Sequence, residues 1–174
     1  PTHLAYDREF FDSNGSFRGG KRDLYEGGIR VPMIAWGPGR VPAGVRSDVV
    51  WAMWDLMPTL ADWAGVELDG SARDRIDGIS FVPALRGEED AQPRHDHLYW
   101  EIFGGQSAQA VRAGRWKAVR QPPFTGEIEL YDLVSNPSET RDLSAFYPEV
   151  TERMDSLLEH SRTESEIFGP DADG

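Results

Sequence analysis

Residues 97 to 133 constrain the fold most. They hold four short runs rich in β-branched and aromatic residues, His97–Ile102, Ala108–Arg112, Trp116–Arg120 and Glu129–Leu133, separated by Gly and Pro turns. Parallel strands need a crossover of a dozen or more residues between them, so connections this short predict an antiparallel sheet. After Asn136-Pro137, a segment from about Pro148 to Ser161 carries Val150, Met154, Leu157 and Leu158 on one helical side, and such a helix can cover one face of the sheet. The fold class expected is α/β, ending in a small antiparallel sheet covered by a C-terminal helix.

The first half has a different texture. Residues 1 to 28 show Gly clusters and alternating charge without an apolar period, as in a long loop. Val31-Pro32-Met33-Ile34-Ala35-Trp36, closed by Gly37-Pro38-Gly39, suits a buried strand of a larger sheet. Met53, Leu56, Met57, Leu60 and Trp63 recur at three and four residues, which predicts the buried face of a helix. Asp55 is its expected N-cap and Gly65 its stop. A brief helix from Phe81 to Leu85 is expected to end at Gly87. Residues 31 to 36 would leave an exposed apolar patch wherever their sheet neighbours are missing.

Eighteen Lys and Arg stand against thirty Asp and Glu among 174 residues, a formal net charge of -12. Broad attraction to nucleic acid or to an anionic membrane surface is therefore not expected, and an anionic substrate would need a local cationic pocket. The absence of cysteine excludes disulfides and thiolate zinc sites without fixing a compartment. A chain opening on Pro1, with no apolar stretch long enough to span a bilayer, is expected to be processed or a fragment.

The stretch GSFRGGKRDLYEGG, Gly15 to Gly28, has the glycine and lysine spacing of a phosphate-binding P-loop but not its context. Arg22 stands where Ser or Thr should follow Lys21, the charged residues 6 to 12 make no buried strand, and Gly27, Gly28 and Pro32 forbid the long helix that should follow. What survives is a glycine-supported lysine approaching something anionic. Asp12 and Asn14 read as turn formers bonding the local backbone, since an EF-hand starting at Asp12 would need glycine where Phe17 stands. Glu26 and Arg30 are spaced as a structural ion pair. Arg18 and Arg22 could widen a cationic rim and otherwise read as solvated charge. His95 and His97 lack a third ligand nearby and read as polar residues leading into a strand.

Taken in order, GGKRDLYEGGIRVPMIAWGPGRVPAG, WDLMPTLADWAG, DGISFVPALRGE, QAVRAGRWKAVR and ELYDLVSNPSETRDL resemble the C-terminal half of the sulfatase family, from about Phe10 to Leu158. Arylsulfatases and N-acetylgalactosamine-6-sulfatase-like enzymes are the most similar in texture. The resemblance implies an alkaline-phosphatase-like α/β fold. Residues 1–90 would be the last part of the catalytic domain, 91–168 an antiparallel subdomain with its helix, and 169–174 a tail. It also implies hydrolysis of sulfate esters, a sulfated glycan among them, by a formylglycine hydrate that attacks sulfur beside a calcium ion.

Most of that machinery has no counterpart in residues 1 to 174, which hold neither the modified-residue motif nor the paired aspartates; Asp12-Ser13-Asn14-Gly15 is not the family's Asp-Asn-Gly metal motif. Calcium ligands and formylglycine are therefore expected outside this chain, and no metal ligand is assigned within it. Lys21 matches the family lysine that contacts the sulfate group, and the Gly104-Gly105 loop is the second expected substrate-binding element. Phe103 stands where related sequences often have His, which leaves the inherited specificity open. Export from the cytoplasm is an expectation of the family alone. Two other functions fit: a non-catalytic module that binds a sulfated glycan or partner, and a phosphodiesterase or phosphonate monoester hydrolase relative.

Overall fold

The computed structural model describes residues 8–104, 107–165, 167 and 169. The chain divides into two compact units, Pro1–Val31 with His97–Gly174, and Pro32–Asp96.

In the first unit, β1 (Leu98–Ile102), β2 (Ala108–Ala113), β3 (Trp116–Arg120) and β4 (Ile128–Asp132) form an antiparallel sheet in sequence order. The four expected strands are present within a residue or two. Pairing Val111 with Ala118, and Ala118 with Leu130, puts these residues on one face. The C-terminal helix, Pro148–His160, lays Met154 and Leu158 there, both fully buried. Burial of each stabilises the unit by about 1.5–3 kcal/mol. The alternate residues Ala108, Ala110, Val119 and Tyr131 face the other way and pack against Leu24, Tyr25 and Ile29. Both faces are thus covered, one by the expected helix and the other by the glycine-rich loop. Beside β4, the Leu143 amide donates to the Leu130 carbonyl at 2.8 Å and the Leu130 amide donates to Asp142 Oδ1 at 2.9 Å, which occupies hydrogen-bonding groups an edge strand would otherwise leave open.

The second unit is built around a 3₁₀ turn, Met53–Asp55, that runs into the helix Leu56–Ala64. Gly65 ends this helix as expected, in the left-handed region at φ 68°. Three expectations are corrected here. Asp55 stands at the N-cap position of the helix, but its side chain makes no capping bond there: its carboxylate is buried and accepts from the amides of Ala52 (2.7 Å) and Ile79 (2.9 Å), while His95 Nε2 lies 2.9 and 3.0 Å from its two oxygens. The apolar stripe is also not the buried side, for Met53 is 60% exposed and Leu60 66%. The inward side belongs to Asp55, Pro58 and Thr59, where Thr59 Oγ1 donates to the Asp55 carbonyl at 2.6 Å and accepts from the Phe81 amide at 3.0 Å. Val31 to Trp36 forms no ladder, and Ile34 and Trp36 are 94% and 85% exposed. A strand takes its backbone partners from its neighbours, and no strand of the described residues runs beside this segment. A cleft of about 780 Å³ in this unit is lined by Trp36, Val41, Trp51, Phe81 and Leu85 among others, an apolar wall.

Candidate functional site

The loop from Asp12 to Arg30 is ordered by its own backbone. The Gly15 amide donates to the Asp12 carbonyl at 3.0 Å and Asn14 Nδ2 to the Gly19 carbonyl at 2.7 Å, the local turn that the sequence suggests. A second turn spans Gly20 to Asp23. The Asp23 amide donates to the Gly20 carbonyl at 2.8 Å, and the Gly20 amide donates back to Asp23 Oδ2 at 2.7 Å. Lys21 and Arg22 occupy its two central positions and are exposed, with Arg22 at φ 77°. A side-chain-bearing residue in that region costs about 1–2 kcal/mol. The chain then doubles back so tightly that a Cβ on Gly28 would sit 2.0 Å from the Asp23 carbonyl oxygen, and one on Gly27 2.6 Å from that of Arg18. Only glycine permits this approach.

Beneath the turn lies a buried charge cluster. Lys117, projecting from β3, is fully buried, and its Nζ lies 2.9 Å from Glu26 Oε1 and 2.8 Å from Glu139 Oε1. Arg30 Nε donates to Glu26 Oε2 at 2.6 Å, the expected pair, and Glu139 Oε2 accepts from the Glu26 amide at 2.6 Å. Two carboxylates are thus matched by two cations. Burial pushes both carboxyls up, but at Glu26 the attraction and hydrogen bonding of Lys117 and Arg30 outweigh it and the group sits below the usual range. At Glu139 burial prevails over Lys117 and the group sits above it.

Arg18 extends the same attachment to the edge of the sheet. Its Nη1 donates to Tyr131 Oη at 2.6 Å and lies 3.4 Å from Glu129 Oε2, while its guanidinium stacks 3.8 Å from the Tyr25 ring centroid. Tyr25 and Tyr131 each donate their hydroxyl to Glu129 Oε2 at 2.6 Å. Both phenols are raised, first by burial and then by that bond to Glu129. Arg18 is therefore engaged with the sheet and not a freely solvated rim charge.

The other sequence candidates are less connected. Gly104, exposed at φ 126°, donates its amide to Ser107 Oγ at 2.9 Å and accepts from the same hydroxyl at 2.7 Å. Gly105 lies outside the described residues. Among the described residues no hydrogen bond or ion pair joins Lys21 to Gly104. Phe103 stacks on Phe124 at 6.3 Å. His97 Nε2 lies 2.8 Å from Ser161 Oγ, and His95 is held by Asp55. Among the described residues no three His, Asp or Glu side chains gather as a metal would require. Lys117 and Glu139 escaped the sequence reading although one signal was available: Lys117 is in phase with Val119 on a strand between two others, where both faces are buried.

Fold and loop together place this chain among the sulfatases. It belongs to the family described as N-sulphoglucosamine sulphohydrolase, C-terminal, which matches residues 15–164. Steryl-sulfatase of Mus musculus is 44% identical over 116 residues, covering 61% of this chain and 17% of that protein. N-acetylgalactosamine-6-sulfatase of Canis lupus familiaris is 38% identical over 107 residues, covering 61% of this chain and 19% of that protein. Among solved structures, Ps i-CgsB in complex with k-i-k-neocarrahexaose superposes with a TM-score of 0.70 at 30% identity, over 82% of this chain and 31% of that one. The chain thus spans less than a third of the length of each of these proteins.

Proposed function

We propose that this chain is the C-terminal part of a sulfatase that hydrolyses sulfate esters, and that Lys21 is its contribution to the reacting centre. The observation that carries the reading is Lys21 itself, exposed at the tip of a glycine turn locked onto the sheet, within a family match that spans residues 15–164. A flexible ammonium suits a tetrahedral sulfate, and its attraction grows as the ester oxygen gains charge while the S–O bond breaks. Such a preorganised donor contributes about 3 kcal/mol in the transition state. The nucleophile, read as a formylglycine, and the calcium ligands belong to sequence outside residues 1–174, so this chain alone has no turnover. Residues 1–90 are then the end of the catalytic α/β domain and 91–168 its antiparallel subdomain. Exposure of Ile34, Trp36, Met53 and Leu60 supports the reading of this chain as part of a larger domain, because apolar surface on that scale marks an interface.

A sulfated glycan is the substrate class supported best, since one relative is named for an N-acetylgalactosamine 6-sulfate and one neighbour was solved with an oligosaccharide. Export is proposed from the family; no helix of the described residues is long and apolar enough to cross a membrane. The reading is tested by Lys21→Ala in the full-length protein with para-nitrophenyl sulfate. Turnover should fall by about 100-fold or more with the melting temperature unchanged, and undiminished turnover would remove the assignment.

A further inference from the structure

We propose that Arg18 is a positioning residue for Lys21, clamping both ends of the glycine turn to β4 so that the ammonium meets a sulfate at a fixed place. This rests on the reading of Lys21 given above.

Between Arg18 and Lys21 stand only Gly19, at φ 80°, and Gly20, which bring no side chain to pack. Asn14 and Asp23 shape the turn locally, and what lies before and after it ties it to the sheet. Arg18 precedes it and Tyr25 follows it, and the two stack on each other at 3.8 Å. Each is bonded to β4 as well, Arg18 through Tyr131 Oη at 2.6 Å and Tyr25 through Glu129 at 2.6 Å. The Tyr131 hydroxyl, donating to the same Glu129 oxygen, closes the ring of contacts. The Arg18 carbonyl adds a backbone tie by accepting from the Gly27 amide at 2.7 Å.

Arg22 at φ 77° shows that the tip is held against local preference, and such strain persists only where surrounding contacts over-determine the backbone. Arg18 is itself 41% exposed, and an exposed ion pair adds little to stability. Its value is therefore sought in geometry. Misplacing a reacting group by about 1 Å costs on the order of 100-fold in rate. Arginine is suited to the task because its planar head stacks on one ring while it donates to another, which an ammonium does less well.

The test is a double-mutant cycle in the full-length protein with para-nitrophenyl sulfate, using Arg18→Met, Lys21→Ala and the pair. Arg18→Met should lower kcat by about 10- to 100-fold, with the melting temperature and KM nearly unchanged, and Arg18→Lys should recover part of the loss. In the Lys21→Ala background the same Arg18→Met change should cost less than about twofold, because a residue acting through Lys21 has nothing left to position. Hydrogen exchange over residues 15–25 should quicken in Arg18→Met. If Lys21→Ala lowers turnover but Arg18→Met does not, or costs as much with Lys21 absent, the positioning role is wrong and the Lys21 reading stands. Lost turnover with unchanged exchange would make Arg18 a direct substrate contact and overturn the proposal. Undiminished turnover in Lys21→Ala would overturn both.

Discussion

Replacing Lys117 by Met removes the cation on which the buried cluster depends and keeps its length and apolar stem. Among the described residues Glu139 then loses its ion-pair partner, and Glu26 keeps its pair with Arg30. Breaking one partner out of a buried pair costs about 3–5 kcal/mol, because an uncompensated charge is left inside. For a chain of this size that lowers the melting temperature by roughly 6–20 °C. The pH dependence is more diagnostic than the size. With Lys117 present, Glu26 lies below its ordinary range, so its contribution is complete above the unfolded pKa and is lost as pH falls through the folded one. Glu139 lies above its range, so the folded state already takes up its proton more readily than the unfolded state. Without Lys117 this second behaviour dominates, and stability should rise as pH drops from about 7 to 5. Urea unfolding at both pH values measures it. The additional change Glu139→Gln should restore at least half the loss at pH 7. A Lys117→Met protein within about 1 kcal/mol of the parent at neutral pH, with the same pH slope, would refute the account.

Gly28→Ala should destabilise by about 2–3 kcal/mol in urea unfolding, since its methyl group would meet the Asp23 carbonyl oxygen at 2.0 Å; a neutral result would mean that the turn is looser than its geometry. Arg22→Gly should relieve the left-handed strain, partly offset by unfolded-chain entropy, for a net gain of up to about 1 kcal/mol, read from the urea midpoint. Asp132 accepts from Arg115 and Ser135 and is held well below the usual carboxylate range, chiefly by Arg115. Its contribution is present above the unfolded pKa and lost as pH falls through the lower folded one, so Asp132→Asn should flatten the stability loss between about pH 4 and pH 2.

Much of the sheet was legible in the sequence because a strand between two covered faces needs β-branched and aromatic residues, and Gly or Pro must punctuate hairpins this short. The helix over Met154 and Leu158 was legible from its period, and Gly65 from its place after the last helical turn. Asp55 was misread because a capping aspartate and one that gathers distant amides look alike before Ile79 and His95 are brought to it. The Met53 and Leu60 stripe shows that periodicity identifies an apolar face and not what covers it. The glycine turn that carries Lys21 stands out in the sequence and the family pattern, but the buried charges beneath it do not. Glu26 and Lys117 are 91 positions apart, and a lysine in a strand ordinarily belongs to solvent.

That separation also sets an order of events during synthesis. The Glu26 amide reaches Glu139 across 113 positions. At about 5–20 residues per second, the ribosome needs roughly 6–23 s after adding Glu26 before Glu139 is added. Until then the turn bearing Lys21 has local glycine geometry but no floor. The candidate site is thus among the last features of these residues to take shape, after the whole intervening segment from Pro32 to Asp96 has been made.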